Sequence, residues 1–304
     1  MLRNAANDYL ALRRAAGFKC VDIAELLASF IRFADGRQER HVRAATAVAW
    51  ARLGTSVYRR RRRLRTIGIF VEHLRAEDGL HEVIPSDVFP GASPRRRPPR
   101  IFSREEIRRV LSLADTLGPP GSMRALTYRT LIGLLFATGI RIGEAVRLTF
   151  DDVQPDGLVI RRAKFGKSRQ LTLHPSTHAA LEYYLQVRRR VASGSDRVFV
   201  SIRSSPLERR WVLLTFQALC AKAGIDGAGG GHKPRLHDLR HSFAVHALVR
   251  CGAERDAVDR HMLALSTYLG HGCPSATYWY LEQTPELLRD IAAACERLPS
   301  GVTR

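Results

Sequence analysis

The chain has 304 residues, enough for two domains with a core each, and 45% of them are hydrophobic, which excludes a disordered polyelectrolyte. Forty-nine Lys and Arg against 29 Asp and Glu give a formal net charge of +20 and point to a polyanionic partner, nucleic acid first. No apolar run approaches the roughly 20 residues of a spanning helix, and the N-terminal stretch MLRNAANDYLALRR has no signal-peptide apolar core, so a cytoplasmic protein with no membrane partner is expected.

From the N-terminus, AANDYLALRRAAG, VDIAELLASFIRFAD, VRAATAVAWARLG and RRRLRTIGIFVEHLRAEDG carry apolar residues at three- and four-residue spacing, with Gly or Asp near their ends. That pattern predicts a helical bundle over residues 1–90. Arg59, Arg60, Arg61, Arg62 and Arg63 follow one another without a break. Consecutive side chains cannot all share one helix face, so some are solvated, yet the run exceeds what solubility needs and is expected to contact DNA. The composition then breaks, with four prolines and four arginines between Phe89 and Phe102. A basic linker is predicted over residues 91–101, in which Arg95, Arg96 and Arg97 suit a strap along phosphates.

Past the linker, Ser103 and Glu106 have capping-box spacing ahead of the stripe Ile107, Val110, Leu111 and Ala114, so a helix starts there. RALTYRTLIGLLFATGIRIGEAVRLTFDDV reads as a buried helix broken at Thr138–Gly139, then a short helix from about Arg141. GLVIRR, AKFGK and SRQLTLH alternate and turn like a hairpin or small sheet with Gly166 at the tip. Helices resume at STHAALEYYLQVRRR, interrupted by a brief RVFVS strand and a glycine-rich loop at Gly227 to Gly231. TPELLRDIAAACERL then reads as an amphipathic tail helix. The fold class is therefore mainly α with a small β-sheet, an N-terminal helical bundle followed by an α+β domain over residues 102–304. Five scattered cysteines, never spaced C-x-x-C, read as buried thiols and not as a disulfide or zinc framework.

Polar, chemically competent residues stand in apolar surroundings at four places. Arg141 and Glu144 lie three apart in a helix's first turn, the spacing of an ordinary ion pair. Lys164, Lys167 and Arg169 stud the hairpin, which suits a solvated surface or a nucleic-acid clamp. In RLHDLRHSFA, His237 and His241 are four apart with Asp238 between, close to the H-E-x-x-H of a zinc hydrolase, and His246 or His261 would have to supply a third ligand. The same stretch sets His237 and Arg240 three apart, on one face that suits a phosphate. Asp238 is shorter than the glutamate that reaches a zinc-bound water, and Arg240 would put a cation beside the dication, so no metal is expected. The fourth place is YLGHGCPSATYWYL, with His271 and Tyr280 nine apart.

Taken together, TGIRIGEA, HDLRHSFA and LGHGCPSATYWY resemble, in order and in His-to-Tyr spacing, the catalytic boxes of the tyrosine recombinase (phage integrase) family, over about residues 100 to 285. The resemblance implies a DNA-binding, core-binding domain at residues 1–90 and a catalytic domain at 102–304. It implies Arg141 and Arg240 as phosphate clamps, Lys164 as general acid, His237 and His271 as phosphate-contacting acid/base residues, Tyr280 as nucleophile and Glu144 as support for Arg141. In the family's box the nucleophile falls three after a threonine, here Thr277, which selects Tyr280 over Tyr278. Phe165 stands where the family often has glycine after the hairpin lysine, so Lys167 stays open as the general acid.

The reaction so implied cleaves and rejoins double-stranded DNA through a 3′-phosphotyrosyl link without cofactor, as in integration, excision or transposition of a mobile element. A homotetramer or mixed tetramer on DNA and accessory recombinases belong to the same picture. The alternatives are a type IB topoisomerase, a catalytically silent DNA-binding relative and, remotely, a zinc hydrolase using His237 and His241.

Overall fold

The computed structural model describes residues 2–90, 98–161, 168–191, 194–225, 232–250 and 255–270, with 255–258 as backbone only. Arg95, Arg96, Arg97, Lys164, Gly166, Lys167, His271 and Tyr280 lie outside the described residues, as do the glycine-rich loop and the tail segment 284–298. The chain divides into two compact units, residues 1–97 and 98–304.

The first unit contains helices α1 (Leu2–Ala15), α2 (Val21–Asp35), α3 (Ala44–Arg52) and α4 (Val57–Arg75). Their apolar stripes meet around Leu27, Phe30, Ala47, Trp50, Ile67 and Phe70, all buried. Phe30 meets Trp50 edge-on with ring centroids 5.4 Å apart, the positive edge of one ring against the negative face of the other. The Ser56 hydroxyl accepts from the Arg59 amide at 3.2 Å and caps α4. The helix thus begins at Val57, ahead of the apolar periodicity, because a cap and not a stripe sets its start. After α4 the chain folds back, packing Ile84, Val88 and Phe89 on the same core.

The second unit holds α5 (Arg104–Ala114), α6 (Arg124–Thr138), α7 (Ile142–Ala145), β1 (Val153–Gln154), β2 (Gly157–Ile160), β3 (Arg169–Leu171), α8 (Pro175–Arg190), α9 (Arg209–Lys222), α10 (Leu236–Val249) and α11 (Arg255–Leu269). The fold is mainly α with a small sheet. Helix α6 is the hub, packed against α5, α8 and α10, and it buries Tyr128, Leu131, Ile132, Leu134 and Leu135. The three strands pair antiparallel in chain order, with Leu158 opposite Leu171 and Ile160 opposite Arg169. Ser103 and Glu106 form the capping box in both directions, at 3.1 and 2.9 Å.

One predicted element is absent. Residues 197–201 make only isolated bridges, Thr149 to Arg197 and Val200 to Pro206, although Val198 and Phe199 are buried as a strand would bury them. Buried Arg188 donates to the carbonyl of Arg197 at 3.2 Å and to that of Ser195, just before the segment, at 3.1 Å, so the first backbone acceptor of the segment is held by a side chain.

Two local features aim the site. Gly139 ends α6 in the left-handed region, φ +61°, and a Cβ there would fall 2.6 Å from Cδ1 of Phe243. Only glycine meets both demands. On α10, Ser242 accepts from the Phe102 amide at 2.8 Å, and His246 Nε2 lies 2.9 Å from the Phe102 carbonyl. A carbonyl only accepts, so His246 carries its proton on Nε2.

Candidate active site

Helix α6 stops at Gly139, and α7 starts two residues later with Arg141 as its N-cap. Helix α10 brings Arg240 against the same place. Arg240 is only 2% exposed and donates from Nη1 to the Gly139 carbonyl at 2.8 Å and from Nη2 to the Leu269 carbonyl at 2.7 Å. Arg141 reaches the same end of α11, from Nη2 to the Gly270 carbonyl at 3.1 Å and, more weakly, from Nη1 to the Leu269 carbonyl at 3.5 Å. Arg169 on β3 donates from Nε to the Tyr268 carbonyl at 2.9 Å. Three consecutive carbonyls at the α11 terminus are thus held by three guanidiniums. Such carbonyls have no partner within their own helix and carry the negative end of its dipole, so they offset a cation cluster that would otherwise repel itself.

Glu144 supplies the one buried negative charge among these side chains, with its carboxylate 3% exposed. Each of its oxygens takes one bond from each of two arginines. Oε1 accepts from Arg141 Nη1 at 3.0 Å and Arg169 Nη1 at 3.2 Å, and Oε2 from the Arg141 amide at 3.1 Å and Arg169 Nη2 at 2.8 Å. Burial pushes the Glu144 carboxyl up, but the bonds and charge of Arg169, followed by those of Arg141, outweigh it and hold the group below the usual carboxylate range.

His237 opens α10 beside these cations. Its pKa is pushed down to about 4, first because neighbours strip water from part of the ring and then by Arg240, with Arg141 and Arg235 adding and Asp238 opposing. The residue keeps an exposed side, so solvent tempers the first effect while the cations act through space. The ring is neutral at pH 7. His241, one turn on, is buried and meets it edge-on with centroids 4.5 Å apart. Asp238 is committed elsewhere, taking Arg235 Nη2 and Nε on Oδ1 at 2.8 and 3.1 Å and the Arg235 amide on Oδ2 at 2.8 Å, which caps α10. Among the described residues no group of three or more His, Cys, Asp or Glu is placed to hold a metal.

The structure thus brings Arg141, Glu144, His237 and Arg240 together, and their convergence lies immediately before His271. Arg169, expected on a DNA-contacting hairpin, sits in this cluster with its side chain 12% exposed. Its role was not legible from sequence, because 25 residues separate it from Glu144 and only strand register and helix docking bring the two together.

In the first unit the arginine run divides. Arg60 and Arg61 donate from Nε to the carbonyls of Gly54 and Phe89 at 2.8 and 2.7 Å. Arg63 donates to the Trp50 carbonyl at 3.0 Å and lies over the Trp50 ring at 4.7 Å. Arg59 and Arg62 are exposed, Arg59 Nη1 reaching Thr55 at 3.2 Å and Arg62 pairing with Asp22 at 2.5 Å on the surface. Helical geometry explains the division, since five consecutive positions span more than one full turn.

Residues 100–286 match the model of the phage integrase family. A putative integrase/recombinase, y4rB, of Sinorhizobium fredii is 36% identical over 305 aligned residues that cover 97% of each chain. The tyrosine recombinase XerD of Mycobacterium tuberculosis is 31% identical over 72% of this chain and 68% of its own. Among solved structures, a lambda integrase tetramer bound to a Holliday junction superposes with a TM-score of 0.63 at 15% identity, covering 92% of this chain and 76% of that one.

Proposed function

This chain belongs to the phage integrase family, and on that premise we propose the following course for its reaction as a site-specific DNA recombinase. The scissile phosphate lies against Arg141 and Arg240, whose planar, permanently charged forks neutralise the charge that grows on the non-bridging oxygens in the pentavalent transition state. The Tyr280 hydroxyl attacks phosphorus. Its Oη–P bond forms as the bond from phosphorus to the 5′ oxygen breaks, leaving a 3′-phosphotyrosyl link.

A free tyrosine has a pKa of about 10, so its proton needs an acceptor. A phosphate between the arginines offsets the charge that helps hold the His237 pKa down, so His237 accepts it once DNA is bound, as does His271 by its position in the family's box. Lys164, or Lys167 three residues on, gives its proton to the departing 5′ oxygen. The 5′ hydroxyl of a second strand then reverses the step, so neither nucleotide nor metal is consumed. What supports these assignments is one observation above all, that Arg141 and Arg240 meet at the Leu269 carbonyl, two residues before His271.

We assign residues 1–90 as the core-binding domain, 91–101 as the basic linker and 102–304 as the catalytic domain. The partner is double-stranded DNA, on which each of four strand ends needs its own nucleophile, hence an assembly of four subunits. Among the described residues no helix is long and apolar enough to cross a membrane. Residence in the cytoplasm, with the DNA, completes the proposal.

The experiment supplies two plasmids, one carrying paired candidate sites from the DNA flanking the coding sequence and one without them, both supercoiled. Products recombined only where sites are paired are expected. Relaxation of both plasmids without exchange would favour the topoisomerase alternative and contradict the proposal.

A further inference from the structure

The geometry assigns to Arg169 a part that the hairpin's basic composition does not suggest. We propose that it is a positioning residue of the catalytic centre, acting through Glu144 and the end of α11. This rests on the recombinase reading above.

All three guanidinium nitrogens are engaged, and with two different elements. Nη1 and Nη2 span both oxygens of Glu144 on α7, and Nε holds the Tyr268 carbonyl on α11. Arg169 itself is at the start of β3. One side chain therefore ties the strand that leads out of the hairpin to the helix behind Arg141 and to the turn that precedes His271.

The packing is tight on the remaining side. Gly270 has φ +66°, and a Cβ there would lie 2.9 Å from Arg169 Nη1. The guanidinium is thus pressed against a backbone that only glycine leaves open.

The consequence for Arg141 follows from counting donors. With Arg169 present, each Glu144 oxygen is shared, and the Arg141 side chain makes a single bond to it, Nη1 to Oε1. Without Arg169, Glu144 loses two of its four donors and remains buried and charged. Its cheapest remedy is to take Arg141 in a two-bond fork, which turns that fork away from a phosphate. Arg169 thus keeps Arg141 available by competing for its carboxylate.

A lysine cannot replace it. An ammonium is a point charge and does not reach two carboxylate oxygens and the Tyr268 carbonyl together. A DNA-backbone contact would cost Arg169 both its bonds to the Glu144 carboxylate and leave that buried charge with half its donors.

The test measures single-turnover cleavage at saturating DNA, on a pool of nicked duplexes tiling the sequence on either side of the coding region. Wild type, Arg169→Lys, Arg169→Ala, Glu144→Gln and the Arg169→Ala/Glu144→Gln double variant are compared, with DNA affinity measured alongside. Loss of folded protein lowers the amplitude, whereas loss of positioning lowers the rate constant.

We expect Arg169→Lys to slow cleavage roughly 10- to 100-fold, the scale of a misplacement of about 1 Å. DNA affinity should change by less than about threefold, as for a group that does not touch the DNA. The double variant should be no slower than the slower single variant, since both act through one carboxylate. Should Arg169→Ala fail to fold, Arg169→Lys decides alone. A wild-type rate constant in Arg169→Lys, affinity falling in step with rate, or additive losses in the double variant would each overturn the assignment. If wild type itself cleaves none of the pool, the recombinase reading fails instead.

Discussion

His237 stands next to Asp238, which Arg235 occupies, and faces Arg240 and Arg141 without a carboxylate of its own. That placement makes its titration a report on local desolvation first and on the cation cluster second. Its folded pKa, about 4, lies below the ordinary histidine value of about 6.5, so as pH falls the unfolded chain takes up the proton first. Stability contributed by the neutral ring is complete above about 6.5 and is lost progressively as pH falls toward 4. A phosphate placed between the arginines reverses the bias and raises the pKa. NMR titration of the ring should therefore give a midpoint near 4 in free protein, moving upward on DNA; a free-protein midpoint at or above the ordinary value would contradict the arrangement. The i, i+3 spacing of His237 and Arg240 was legible in sequence because a helix converts spacing into a shared face. The pairing of Arg169 with Glu144 was not, since it depends on strand register and on helices packing at a distance.

Helix ends, more than helix faces, build the centre. The C-termini of α6 and α11 both point carbonyls at Arg240, and the turn between α6 and α7 leaves room for Phe243. Replacing Gly139 by Ala forces a positive φ on a residue with a Cβ and drives that atom against the Phe243 ring. We expect a loss of about 2–4 kcal/mol from backbone strain and overpacking together. Gly143→Ala is the control: in helix α7 the nearest atoms to its Cβ would be the arginine side-chain atoms Arg209 Nη1, Arg147 Nη1 and Arg209 Cδ, at 3.5, 3.6 and 3.7 Å, and stability should change little. Denaturant unfolding of the two variants checks this, and equal losses would contradict it. The break at Thr138–Gly139 was readable because glycine after an apolar helix is a local signal. The missing strand at 197–201 was not, because the buried side chain of Arg188, on the preceding helix, takes the Arg197 carbonyl with which the segment begins.

Over the whole molecule, a charge of +20 sets the dependence on salt, but not every arginine contributes to it. Arg60, Arg61 and Arg63 hold carbonyls of their own bundle, leaving Arg59 and Arg62 as the exposed members of the run. The surface pair of Arg62 with Asp22 is weak enough to yield to a phosphate. If both contact the backbone, Arg59→Ala with Arg62→Ala should flatten the plot of log affinity against log salt by about 1.8, at about 0.9 per phosphate, while Arg60→Ala leaves the slope unchanged. An unchanged slope in the double variant would place the DNA elsewhere on this unit. In the proposed reaction the arginine cluster serves a tyrosine that becomes joined to DNA. The measurement closest to it is mass spectrometry of protein trapped on the nicked duplexes that wild type cleaves. A phosphotyrosyl peptide carrying Tyr280 is expected from wild type and none from the Tyr280→Phe variant. An adduct on Tyr278, or one that persists in Tyr280→Phe, would contradict it.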